Sequence, residues 1–107
     1  MKDNAKRLVF FEDWMDTSAA MKVFETVDDI QLQKLHYDAR PEENDVAMSR
    51  THGYQVQPRT ELQIPWFPDS DLIERAPNLV AVSSAGAGFD YIDVVALTKA
   101  GIAVVNQ

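Results

Sequence analysis

The stretch from Leu79 to Asn106 constrains the fold of this chain more than any other. Leu79-Val80-Ala81-Val82 is a short apolar run with β-branched residues. Gly86-Ala87-Gly88 follows it, and Asp93 then opens a helical pattern in which Val94, Leu97 and Ala100 or Ile102 share a face. Gly101 is placed as a left-handed helix C-cap, and Ile102-Ala103-Val104-Val105 is a second apolar run. Strand, turn, helix, strand is a βαβ unit. Such a unit needs parallel strands and a right-handed crossover.

The rest of the chain carries the same alternation. Leu8-Val9-Phe10-Phe11 predicts a strand covered on both faces. Asp16-Thr17-Ser18 supplies capping groups, and Ala20, Phe24 and Val27 recur at helical spacing up to Asp28. Ile30, Leu32 and Leu35 mark a second, more polar strand suited to an edge. Residues 38–45, with Pro41 and a cluster of carboxylates, read as a solvated loop or frayed helix. Val46-Ala47-Met48 reads as a third short strand running into Ser49-Arg50-Thr51-His52-Gly53. From Tyr54 to Phe67 periodicity is poor, and Pro58, Pro65 and Pro68 suggest an irregular connection. Asp69 or Ser70 caps a short helix bearing Leu72, Ile73 and Ala76, which Pro77 stops. The expected fold is α/β: a flavodoxin-like (Rossmann-like), doubly wound, parallel five-stranded sheet in a single domain spanning 1–107.

Composition narrows the function. The net charge is -7, which disfavours nucleic acid and anionic membranes, since both reward a basic face. The chain has no cysteine, so thiol catalysis, disulfides and thiolate metal sites are excluded, and no metal ligand is assigned. Glu12 and Asp13 interrupt the first apolar run, so it is no signal peptide. No run approaches the roughly 18 apolar residues of a membrane span. A cytoplasmic protein is expected.

Gly86-Ala87-Gly88 sits just after a strand, where open α/β sheets bind ligands. Glycine there permits close backbone approach, and successive N–H groups form a nest for a carboxylate or phosphate. It is not a dinucleotide fingerprint. Tyr91 stands where the third glycine is required, and Phe89-Asp90-Tyr91-Ile92 separates the turn from the helix.

Three segments carry a family resemblance: Ala76-Pro77-Asn78-Leu79-Val80-Ala81-Val82, Gly86-Ala87-Gly88-Phe89-Asp90-Tyr91-Ile92-Asp93 and Gly101-Ile102-Ala103-Val104-Val105-Asn106. Together they resemble the NAD-dependent D-isomer-specific 2-hydroxyacid dehydrogenases. The resemblance implies the N-terminal piece of a substrate-binding domain, with the NAD-binding domain absent from this chain. It implies that the amides of Ala87 and Gly88, with Gly86 in the same turn, hold the substrate carboxylate. It also points to Ser49, Arg50 and Thr51, because in the family the loop after the third strand borders the site. The implied reaction moves hydride between nicotinamide and a small 2-oxo or 2-hydroxy acid. The family's arginine, acidic partner, histidine and cofactor glycines have no counterpart before Gln107, so no catalytic residue is assigned. NAD is expected on the missing domain, with at most Asn106, after the fifth strand, touching it. The parent enzyme is expected to be a homodimer, and the fragment to self-associate through apolar surface near the fifth strand and last helix.

Other residues read more simply. Arg50 has a planar fork suited to a carboxylate but equally suits an exposed surface. His36 and His52 are loop or strand-end histidines without an acid–base partner at useful spacing. Trp66 and Phe67 anchor the irregular connection, and Asp90 and Asp93 hold the turn and cap the helix. A phospho-acceptor receiver domain would want an aspartate after strand three and a lysine after strand five, where Met48-Ser49 and Asn106 stand. The stronger alternative is a non-catalytic module using the same nest to bind a small carboxylate or a protein partner.

Overall fold

The computed structural model describes residues 6–12, 29–57, 61–84 and 92–106. The elements in chain order are β1 (Lys6–Phe11), β2 (Ile30–Leu35), α1 (Pro41–Arg50), β3 (Gly53–Val56), α2 (Ser70–Arg75), β4 (Ala81–Ser84), α3 (Val94–Lys99) and β5 (Ala103–Asn106). The strands form one five-stranded sheet in the order β2-β1-β3-β4-β5. Every pairing is parallel. This is the α/β, flavodoxin-like arrangement that the alternation of strands and helices predicts.

Register explains the core. Val9 pairs with Tyr54, Tyr54 with Val82, and Val82 with Val104. Residues in register on parallel strands point to the same face. This row meets Met48 and Ala47 of α1, Leu72 of α2 and Leu97 of α3 in one buried cluster. Aromatic packing fills the β1 end of it. Phe11 stacks on Tyr37 with centroids 4.5 Å apart, and Trp66 lies 5.2 Å from Phe11. The phenol of Tyr54 donates to the Trp66 carbonyl at 2.8 Å, so Trp66 anchors the connection after β3, as expected.

The short helices form where capping chemistry puts them. Asp69 accepts from the Leu72 N–H, and Asp93 accepts from the Ala96 N–H. Gly101 adopts φ 79°, the left-handed conformation that a glycine after a helix supplies. The helix expected between Asp16 and Asp28 lies outside the described residues.

Two expectations are corrected. Val46-Ala47-Met48 is helical, part of α1. Pro41 stands in the first turn with Glu42 and Glu43, and Arg50 in the last, an order that suits the helix dipole. Asn44, Ala47 and Met48 are its buried residues, at helical rather than alternating spacing. The third strand is instead Gly53–Val56, inside the stretch read as irregular. It is a central strand buried on both faces, with Gln55 3% exposed, and this glutamine hides it from an apolar-run reading.

The amino ends of the central strands are tied together. The His52 N–H donates to the Arg7 carbonyl at 2.9 Å, and the Arg7 N–H donates to His52 Nδ1 at 3.0 Å. The Val80 N–H donates to the His52 carbonyl at 2.8 Å. Thr51 is fully buried, its hydroxyl 3.0 Å from the Arg7 carbonyl oxygen and 2.6 Å from that of Gly53. Away from this edge Val94, Val95 and Val105 are exposed, on the α3 and β5 side where self-association is expected.

Thr51→Val keeps the shape of the side chain and removes the donor from two buried carbonyls. Denaturant unfolding should show a loss of about 1–3 kcal/mol. An unchanged midpoint would mean that the hydroxyl does not hold the strand ends together.

Candidate functional site

In an all-parallel sheet every strand ends on the same edge, and that carboxyl edge is where open α/β sheets bind ligands. Here β1 ends into Glu12, β2 into His36 and Tyr37, β3 into Gln57, and β4 ends at Ser84 just before the glycine segment. Gly86, Ala87 and Gly88 themselves lie outside the described residues. β4 is parallel to its neighbours and ends at Ser84, on the carboxyl edge. Asn106 is the last residue of β5, on the same edge and in register with Ser84.

Ser49, Arg50 and Thr51 are not brought to this edge. They end α1 and precede β3, so they sit at the amino ends of the strands. Ser49 Oγ donates to the Val46 carbonyl at 2.7 Å, Arg50 is exposed, and Thr51 ties strand ends as described. The reason for choosing them, a position after the third strand, disappears once that strand is Gly53–Val56. Gln57 follows the actual third strand, and residues 58–60 after it lie outside the described residues. His52 serves as a backbone tie beside Thr51. Burial, then the positive charges of Lys6 and Arg7, hold its imidazole below the usual histidine range.

What the structure does assemble at the carboxyl edge is an open surface depression of about 680 Å³, lined by Glu12, Tyr37, Asp38, Gln57, Glu61 and Gln63. Glu12 adopts φ 60°, turning the chain out of β1. Its Oε1 accepts the Tyr37 N–H at 2.8 Å, and its Oε2 faces His36 Nδ1 at 3.3 Å. The Tyr37 phenol donates to Gln57 Oε1, joining the ends of β2 and β3. Burial pushes the Tyr37 phenol up to about 12, and the negative charges of Glu12 and Glu61 act in the same direction.

This part of the edge is acidic. Gathered carboxylates disfavour an anionic guest at this β1 and β2 end. The sequence signal that was missed is positional. Glu12, His36, Tyr37 and Gln57 are the residues that immediately follow strand ends.

The comparisons with known proteins agree with this architecture. The model of the D-isomer specific 2-hydroxyacid dehydrogenase catalytic domain matches residues 9–107, and the chain belongs to that family. A glyoxylate reductase from Paecilomyes thermophila superposes with a TM-score of 0.74 at 22% identity, covering 96% of this chain and 32% of its own. An NAD+-bound 3-phosphoglycerate dehydrogenase from Entamoeba histolytica gives 0.69 at 18% identity, covering 95% of this chain and 32% of its own. A D-lactate dehydrogenase from Aquifex aeolicus, complexed with NAD and lactic acid, gives 0.63 at 19% identity, covering 94% of this chain and 27% of its own. At these identities the likeness is one of fold. The chain therefore spans about a third of the length of these structures. No curated protein sequence matches. Among the described residues no helix is long and apolar enough to cross a membrane.

The raised Tyr37 value has a measurable consequence. The folded state holds the phenolic proton more tightly than the unfolded chain, whose tyrosines ionise near 10. Its contribution is present below that value and is lost as pH rises from about 10 to about 12. Tyr37→Phe should remove one late-ionising phenol from the ultraviolet titration and flatten the alkaline fall in stability. A titration unchanged by Tyr37→Phe would contradict the burial of this hydroxyl.

Proposed function

We propose that this chain is the substrate-binding portion of an NAD(P)-dependent oxidoreductase acting on 2-hydroxy acids. The observation that carries this reading is the family match over residues 9–107, on a parallel sheet whose β4 ends at Ser84, two residues before Gly86-Ala87-Gly88 in the sequence. In this reading the amides of Ala87 and Gly88, with Gly86, hold the substrate carboxylate as an anion nest. The loop after Gln57 borders the bound acid, in the place first given to Ser49, Arg50 and Thr51. Asn106 faces the crevice toward the cofactor.

NAD has a poor fit to the described part of the edge. The pyrophosphate of a dinucleotide wants a helix N-terminus or amides behind it. The β1–β3 end instead offers Glu12, Asp38 and Glu61. In this reading the nicotinamide and the acid–base group are supplied from outside the described residues. The chain's own part is to bind the acid, orient it and shield one side from water. Binding by this part alone is weak, because association costs are offset only when both domains close on the substrate.

The reading is tested by following the coding frame past codon 107 and assaying the encoded polypeptide. A frame that runs into a glycine fingerprint after a strand, with NADH-dependent reduction of glyoxylate, pyruvate or a longer 2-oxo acid, is the expected result. A stop codon, or a full-length product without such turnover, would overturn it in favour of a small-carboxylate-binding module.

A further inference from the structure

The parallel register sets Phe11 beside Leu35, so the next residues, Glu12 and His36, leave the sheet side by side. The Glu12 N–H donates to the Leu35 carbonyl at 2.8 Å and fixes that juxtaposition. Asp38 follows in the turn after β2. One carboxylate oxygen of Glu12, one imidazole nitrogen of His36 and one carboxylate oxygen of Asp38 all lie within 4.8 Å of one another. The Glu12–His36 contact accounts for two of these groups. Asp38, exposed to solvent, places its carboxylate beside this pair.

Glu12 also accepts the Tyr37 N–H through its other oxygen, at 2.8 Å. The described lining residues of the adjoining depression add a third carboxylate, Glu61, and include no lysine or arginine. Carboxylates gathered in a concavity raise the local cation concentration. The neutral imidazole adds a nitrogen donor, which favours borderline transition ions over calcium or magnesium. Three protein ligands with one place left for water form a common zinc arrangement.

We propose that Glu12, His36 and Asp38 form a binding site for a borderline divalent cation of the zinc and cobalt type, at the carboxyl ends of β1 and β2. The ion neutralises the acidic end of the edge. The site is independent of the dehydrogenase reading, because it rests on β1 and β2 and not on the glycine segment.

The test uses the chelator-stripped chain titrated with Co2+, followed by visible absorption and by amide NMR, with Zn2+ as competitor. The expected result is saturable one-to-one binding, paramagnetic effects centred on residues 12 and 36–38, and displacement by Zn2+. His36→Gln and Asp38→Asn should each weaken binding by at least about tenfold, as loss of a ligand does. Asp71→Asn, at an exposed carboxylate in the first turn of α2, should leave it unchanged. Should a variant fail to fold, the map on the unaltered chain decides. Non-saturable binding, effects centred on His52 or scattered over other carboxylates, or full affinity in His36→Gln would each overturn the proposal.

Discussion

The backbone relay at the amino edge is what the rest of the molecule depends on. Arg7 and His52 exchange hydrogen bonds, the Val80 N–H reaches the His52 carbonyl, and the Ala103 N–H reaches the Val80 carbonyl at 2.9 Å. These bonds fix the amino ends of β1, β3, β4 and β5 against one another. A parallel sheet has no hairpins to set its register, so contacts of this kind must do it. With register set, Val9, Tyr54, Val82 and Val104 fall in one row under the helices. The opposite edge is then free to carry ligands.

That edge divides by charge. Its β1–β2 end gathers Glu12, Asp38 and Glu61 with His36 beside them. Its β4 end leads into a glycine segment with no acidic residue before Asp90. In the proposed reading, an anionic substrate and a cation take separate places on one sheet. The Tyr37–Gln57 contact lies between them and ties the end of β2 to the strand whose loop borders the proposed carboxylate site.

Much of the fold was legible because the chain punctuates its elements clearly. Asp69, Asp93 and Gly101 mark helix ends, and the apolar runs of β1, β4 and β5 stand where the strands are found, within a residue or two at their ends. The third strand was not legible. Gln55 and Gln57 are buried polar residues, and burial with hydrogen bonding overrides an apolar pattern. The apolar triplet at Val46 in turn disguised α1, where Val46 itself is 50% exposed. That one displacement carried Ser49, Arg50 and Thr51 to the wrong edge of the sheet. The glycine turn was legible as a motif, while the acidic depression was not, because its residues meet only through strand register.

The central claim is that a 2-oxo acid binds at the carboxyl edge beside β4. The direct measurement is an amide NMR titration of the chain with glyoxylate. The account predicts shifts at residues 86–88 and in the loop after Gln57, at weak affinity, with Ser49, Arg50 and Thr51 unaffected. Shifts centred on residues 49–51, or none at glyoxylate concentrations far above those of a cell, would contradict it.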